Sequence, residues 1–362
     1  MRVGILGAGQ LGRMLALAGY PLGLEFVFLD PAAEACASPL GAHLHADYLD
    51  EAALTTFVQQ VDVATYEFEN VPVPAADFVA SRVALRPAPR ALTAGQDRLG
   101  EKQLFEQLGI PVPRYAPVDS LESLHAAARQ IGLPAVLKTR RMGYDGKGQA
   151  RLRCDADCEN AWQTLGAQPL ILEAFVPFER ELSCLGVRGI DGGTAFYPLV
   201  ENVHRDGILR TSRPCANDPL QSVAEGYMRR LMQHLDYVGV LAFEFFVVDG
   251  QLLANEIAPR VHNSGHWTIE GAVTSQFENH LRAICGLPLG STALRGASQM
   301  FNFIGELPAL ALMSEIENLH VHLYGKTPKP LRKVGHATLN CSDAEALAAA
   351  LPTVTAKLAA FL

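Results

Sequence analysis

The chain has 362 residues, 49 % hydrophobic and 19 % charged, with 30 Lys and Arg against 38 Asp and Glu and a formal net charge of −8. That composition is globular, which excludes a fibre, a disordered tail or a mucin-like stalk, and the length asks for two or three packed domains. The acidic balance argues against a nucleic-acid partner, since nucleic-acid-binding domains carry a basic face, but it leaves room for a local basic pocket that takes a small anion.

The first stretch alternates strand and helix. Residues 3–6 read as a short apolar strand, 7–12 as a Gly-rich turn, and Gln10–Gly19 as a helix with Leu11, Met14 and Leu15 at helical spacing. Residues 24–29 and 61–66 are further apolar strands. This βαβ pattern predicts a parallel sheet with helices on its faces, and Arg86-Pro87-Ala88-Pro89 closes the block. The opening residues are strand and turn rather than the charged and apolar halves of a secretion signal. No apolar run approaches the ~20 residues that span a bilayer.

A second block starts near Leu92. Helices over 98–108 and 120–131 precede strands over 135–138, 171–173, 182–187, 194–198, 241–248 and 252–257, with one helix over 220–235 among them. Many strands with little helix between them predict an antiparallel sheet. After a helix over Gln276–Cys285 and a linker over 286–290, a small α+β tail holds 319–324, 326–333 and a closing Ala-rich helix. Seven scattered cysteines with no C-x-x-C pair suit a reducing cytosol, not a disulfide framework or a zinc ribbon.

Gly7, Gly9 and Gly12 fit G-x-G-x-x-G between strand and helix, and Asp30 ends the next strand 18 residues later. This is the spacing of a dinucleotide site. A tight structural turn fits it equally well, and amides at a helix N-terminus suit any phosphate. Lys138 ends a strand and is followed by a basic Gly-rich loop over 140–149. A strand-end lysine gives a point charge and such a loop gives N–H donors, as a nucleotide phosphate tail needs; the loop lacks the P-loop pattern, and a solvated surface hairpin is the alternative. Glu244 sits among apolar residues, and Asn255-Glu256 follows the turn Asp249-Gly250 on the next strand. Two carboxylates on paired apolar strands are costly without a cation, and hard oxygen ligands beside a phosphate loop select Mg²⁺; simple alternation would instead face Glu244 to solvent. Arg260, His262 and Asn263 come directly after, suited to an anionic substrate beside the metal. Lys326, Lys329, Arg332, Lys333 and His336 make a late basic cluster, either a solvated face or a phosphate-monoester site. Glu69 and Asn70, at a strand end, suit a substrate contact or a plain loop.

Several of these runs belong together: Gly9-Gln10-Leu11-Gly12, Asp97-Arg98, the loop from Gly143 to Gln149, the run from His204 to Ser212, the run from Asn255 to Trp267, and Arg332-Lys333-Val334-Gly335-His336. The set resembles the N5-carboxyaminoimidazole ribonucleotide synthetase family, the ATP-grasp carboxylases of bacterial and fungal purine synthesis, over nearly the whole chain. The resemblance implies an α/β and α+β architecture: a Rossmann-like preATP-grasp domain at 1–90, an ATP-grasp domain at 91–288 and a small C-terminal α+β domain at 289–362. It implies a cytoplasmic homodimer that uses ATP and Mg²⁺ (or Mn²⁺) to join bicarbonate to 5-aminoimidazole ribonucleotide through carboxyphosphate, with no nucleic-acid or membrane partner. The first Gly-rich turn then serves the ribonucleotide and not NAD.

Residue by residue, the resemblance places Arg98 and Lys138 on the ATP phosphates, with Gly143, Tyr144, Asp145, Gly146, Lys147, Gly148 and Gln149 closing over them. Glu173, Ala174, Phe175 and Val176 would line the adenine through backbone groups, Glu181 the ribose, and His204 and Asn255 would lie near the nucleotide. Glu244 and Glu256 would hold the metal. Gln10, Leu11, Tyr144, Asn263, Ser264, Lys326, Arg332 and Lys333 would contact the ribonucleotide. Asp145, Arg260, His262 and Lys333 would serve the chemistry, with Asp145 or His262 accepting a proton. Many ATP-grasp members carry Asn two residues after the second metal Glu; Ala258 stands there, which leaves the metal to the two glutamates and ATP oxygens. Rival readings are an NAD-dependent oxidoreductase, a non-catalytic nucleotide sensor and a sister ligase acting on another amine.

Overall fold

A computed structural model describes residues 1–143, 147–166 and 168–361. The N-terminal strands Arg2–Leu6, Glu25–Asp30, Ala42–His45 and Val63–Tyr66 form one parallel sheet, ordered 42–45, 25–30, 2–6, 63–66. The first, second and fourth are apolar and buried, which is why their pattern is plain; Ala42–His45 is a partly exposed edge strand and carries no such signal. In a parallel sheet, neighbouring strands end on the same side. The Gly-rich turn after Arg2–Leu6 therefore meets the segment that follows Val63–Tyr66.

A second, antiparallel sheet holds Tyr115–Val118, Leu170–Ala174, Ala135–Thr139 and Gln149–Leu152, in that spatial order. The third sheet has nine antiparallel strands. It runs from Gln251–Ala258 at one edge through Gly239–Val248, Arg180–Arg188, Val200–Arg205 and Ile208–Pro214, with Thr194–Phe196 paired beside Arg180–Arg188. It continues without a break into the C-terminal strands Ala297–Ile304, Lys333–Cys341 and Leu319–Leu323. The tail thus extends the central sheet. Residues 326–332 form the connection between its last two strands, with Lys333 opening the second. Asp206-Gly207 and Asp249-Gly250 both take positive φ as two-residue hairpin turns, the geometry that matches strand twist.

The C-terminal stretch Ala344–Phe361 is 18 residues long with hydropathy 1.2, so by length and composition one helix among the described residues is apolar enough to cross a bilayer. This qualifies the expectation of no such run. Alanines carry much of that value, the helix includes Glu345, Pro352 and Lys357, and Leu347, Val354 and Leu358 are buried in the core beside the C-terminal strands.

Helix Gln276–Cys285 ties the first sheet to the third. Its His280 is fully buried; Nδ1 accepts from the Val240 amide at 3.1 Å, so the ring hydrogen lies on Nε2, 2.9 Å from Thr65 Oγ1. Burial pushes its pKa down to about 3. The unfolded chain therefore binds one more proton than the native state between pH 6.5 and 3, so this group withdraws stability as pH falls from 6.5. His280→Gln is expected to lower stability at pH 7 yet narrow its gap to wild type by about 2 kcal/mol between pH 6.5 and 5. Urea unfolding at both pH values checks this; a constant gap contradicts it.

Candidate active site

The helix Gln10–Gly19 has no side-chain cap of its own. Its orphan amides are met from across the sheet: Glu67 Oε1 accepts from Gly9 N at 2.5 Å and Oε2 from Gly12 N at 2.9 Å, while Asp30 accepts from Ala8 N at 2.8 Å. A Cβ on Gly9 would lie 2.4 Å from Glu67 Oε1, and one on Gly7, at φ +107°, 2.6 Å from Glu67 Cγ. These glycines admit the chain's own carboxylate. Burial raises the pKa of Glu67 while the two amides oppose it, with a net upward shift. A dinucleotide phosphate would need the donors that Glu67 already occupies.

Across the cleft, strand Gly239–Val248 buries Phe243 and Phe245 and turns Glu244 and Phe246 toward the opening. Its partner pairs Ile257 with Phe243 and Ala254 with Phe245, so Asn255 and Glu256 together oppose the single Glu244. This bulge re-aims the strand and lets both carboxylates face the cleft. Burial, with the charge of Glu256 added, raises Glu244 to about 7. Burial also works against ionisation of Glu256, but Arg98, whose Nη1 lies 2.6 Å away, outweighs it and holds that carboxyl at about 2. The pair is an all-oxygen, hard donor set whose mutual repulsion a divalent cation would relieve, so it fits Mg²⁺ or Mn²⁺.

Lys138 Nζ lies 2.8 Å from Glu173 Oε2, and Lys102 Nζ 3.9 Å from the same oxygen. These cations outweigh burial and keep Glu173 at about 2. Glu173 is itself buried, so its side chain holds the lysine and does not line the opening. His204 pairs with Glu181; burial lowers its pKa, but Glu181 and Glu244 raise it more. Phe246 stacks on the exposed Phe178, with ring centroids 4.9 Å apart.

On the third wall, Arg260 is mostly buried and pairs with Glu69. Asn263 is buried with neither end of its amide hydrogen-bonded inside the protein, yet it lines the cleft, ready for a ligand. Ser264 is buried behind the surface. Its backbone N–H donates to His262 Nδ1 at 3.3 Å, and its hydroxyl is 2.9 Å from the same nitrogen. Ser183 and Asn202 continue that chain of hydrogen bonds. An acceptor Nδ1 leaves the hydrogen on Nε2, which lies 3.5 Å from Glu244 Oε1. Burial, then Arg260 and Lys333, depress the pKa of His262 well below normal, so the ring is a neutral donor. Lys326, from the C-terminal region, reaches Gln10.

One cleft of about 490 Å³ brings these groups together, from the first Gly-rich turn through Arg98, Lys138 and the two glutamates to Lys326 and Lys333. Gln10, Leu11, Gly143, Lys147, Gln149, Glu181, His204 and Asn255 also line it. Ala174, Phe175, Val176, Gly148, Ser264 and Arg332 do not; Phe175 packs under the Arg151 guanidinium, and Arg332 donates to Thr327 O at 3.1 Å. Tyr144, Asp145 and Gly146 lie outside the described residues.

Three family models match the chain: the ribonucleotide synthetase preATP-grasp domain over residues 1–96, the ATP-grasp domain over 103–277, and the phosphoribosylaminoimidazole carboxylase C-terminal domain over 298–350. The N5-carboxyaminoimidazole ribonucleotide synthase of Pseudomonas aeruginosa is 56 % identical over 99 % of this chain and 100 % of its own length. The chain belongs to the N5-carboxyaminoimidazole ribonucleotide synthase family. The crystal structure of the Thermus thermophilus synthetase superposes with a TM-score of 0.94 at 55 % identity, covering 99 % of this chain and 98 % of that one. The Aspergillus clavatus synthase, in complex with ADP and 5-aminoimidazole ribonucleotide, gives 0.91 at 31 % identity, covering 99 % and 97 %. The fold is therefore the ATP-grasp architecture of this family, and the chain is an ATP-grasp ligase.

Sequence reasoning missed Glu67, Glu101, Lys102 and Asn202 in this N5-carboxyaminoimidazole ribonucleotide synthase family member. For Glu67 a signal existed: an uncapped, Gly-rich helix start asks for an anion, and Glu67 directly follows the neighbouring strand Val63–Tyr66.

Proposed function

We propose that this cleft uses ATP to carboxylate the exocyclic amine of 5-aminoimidazole ribonucleotide with bicarbonate, in the cytoplasm and as a homodimer. A bicarbonate oxygen attacks the γ-phosphorus and ADP leaves, giving carboxyphosphate; the amine then attacks the carboxyl carbon, phosphate leaves and the amine loses a proton. Arg98 and Lys138 hold the phosphates, and Gly143, Lys147 and Gln149 close over them to keep water out. Glu244 and Glu256 hold the divalent ion, which offsets charge on the transferring phosphoryl group. Arg260, His262 and Lys333 hold bicarbonate and its oxyanion. Gln10, Leu11, Asn263 and Lys326 take the ribonucleotide.

The observation that carries this reading is that cations for the nucleotide, the carboxylate pair and the Arg260–His262–Lys333 group converge in one cleft. The His262 tautomer supports a donor role for that ring.

Phosphate release from ATP-Mg²⁺ tests the reading. It is expected only when bicarbonate and the ribonucleotide are both present. Release without the ribonucleotide points to a ligase with another acceptor, and no release under any condition rejects the enzyme reading. NADH is expected to give no thermal shift, because Glu67 fills its phosphate cradle.

A further inference from the structure

We propose that Glu101 and Lys102 are positioning residues: a buried hydrogen-bonding clamp that holds the strand bulge by which Glu256 is set beside Glu244. The inference rests on the reading of those two glutamates as the metal pair. Helix Arg98–Gln107 presents Arg98, Glu101, Lys102 and Phe105 on one face, at helical spacing. Arg98 touches the Glu256 carboxylate itself. Glu101 and Lys102 are each only 1 % exposed and make contacts on both sides of it. Glu101 Oε1 accepts from Ile257 N at 2.8 Å, while Lys102 Nζ donates to Asn255 O at 2.6 Å and Ala254 O at 3.2 Å.

Those backbone groups lie in the bulge, where the strand loses its regular ladder, and Gln251–Ala258 is an edge strand, with no further strand beyond it among the described residues. Left alone, they would be buried and unpaired. Apolar side chains would cover the edge but satisfy none of them. Lys102 also approaches Glu173 Oε2, the oxygen that takes Lys138. One buried ammonium thus touches both the strand that carries Glu256 and the carboxylate that holds Lys138. The clamp fixes the distance between phosphate lysine and metal carboxylates, two groups that must act on one nucleotide.

The test is Mn²⁺ binding in the presence of ADP, read by electron paramagnetic resonance, beside KM for ATP and for the ribonucleotide. Lys102→Met and Glu101→Ala are each expected to weaken Mn²⁺ binding and raise KM for ATP by tenfold or more, with the ribonucleotide KM within twofold of wild type. Glu101→Gln, which keeps an acceptor for Ile257, recovers most of the loss seen with Glu101→Ala. A folded variant with unchanged Mn²⁺ affinity and KM for ATP, or one in which all three constants worsen together, overturns the clamp. Should Lys102→Met fail to fold, Glu101→Ala removes a single amide contact and carries the same test. Absence of Mn²⁺ binding in the wild type itself would overturn the metal reading instead.

Discussion

Glu256→Gln is expected to cut phosphate release from ATP by at least 10²–10³-fold while leaving KM for the ribonucleotide unchanged. The substitution keeps the shape of the side chain and an oxygen for Arg98, now 2.6 Å away. It removes one of two carboxylates that face the cleft beside Arg98 and Lys138. Loss of one preorganised electrostatic partner of a transition state costs roughly 3–4 kcal/mol, and each 1.36 kcal/mol is tenfold in rate. Glu256 is held at about 2 by Arg98 against its burial, so it is ionised throughout the working range, whereas Glu244 is pushed up to about 7 by burial and by Glu256. A proton on Glu244 would compete with a divalent ion at the proposed pair. In the wild type, divalent-ion affinity is therefore expected to fall as pH drops through 7. In Glu256→Gln, with the like charge gone, that midpoint moves to lower pH. Phosphate release together with a Mn²⁺ titration between pH 5.5 and 8.5 checks both. Full activity in Glu256→Gln, or a pH midpoint that does not move, contradicts the assigned pair.

How much of this was legible in the sequence follows from the range of the contacts. Helix Gln10–Gly19, the buried strands Arg2–Leu6, Glu25–Asp30 and Gly239–Val248 and the turn Asp249-Gly250 rest on local rules of period and turn chemistry, and they appear where those rules put them; the equally buried Ala297–Ile304 and Lys333–Cys341 did not. The partly exposed Ala42–His45 strand did not, because an edge strand has no face to bury. Glu244 showed itself as a charge in an apolar run, and alternation does turn it away from Phe243 and Phe245, but toward a cleft and not toward bulk solvent. The bulge that brings Glu256 alongside it depends on pairing between two strands and leaves no mark in either alone. Glu67 and Lys102 are of the same kind. Glu67 is meaningful only because parallel neighbours end together; Lys102 looks like a surface lysine until its helix is laid on the strand edge. Glu173 was expected beside the adenine; that its side chain holds Lys138 from behind is seen only in three dimensions.

Arg260→Met is expected to remove activity and stability together, and the Glu69→Gln/Arg260→Met double variant is expected to restore only the second. The Arg260 side chain is 14 % exposed and that of Glu69 25 %, and their charged groups are directly paired. Burial alone would raise Glu69; Arg260 outweighs it and holds the carboxyl below its ordinary value. Removing the arginine leaves a mostly buried charge without a partner, which costs about 3–5 kcal/mol and lowers Tm on the order of 10 °C. Neutralising Glu69 as well removes that uncompensated charge, since replacing both members of a buried pair is often close to neutral. If Arg260 also holds bicarbonate in line for attack, no such recovery follows for catalysis: bicarbonate-dependent phosphate release stays down by at least 10²-fold in the double variant. The cycle separates the two contributions because the pair shares one contact. Thermal unfolding and phosphate release measured on the same four proteins decide it. Recovery of activity in step with Tm would reduce Arg260 to a structural partner of Glu69 and would leave Lys333 and His262 as the groups that receive bicarbonate.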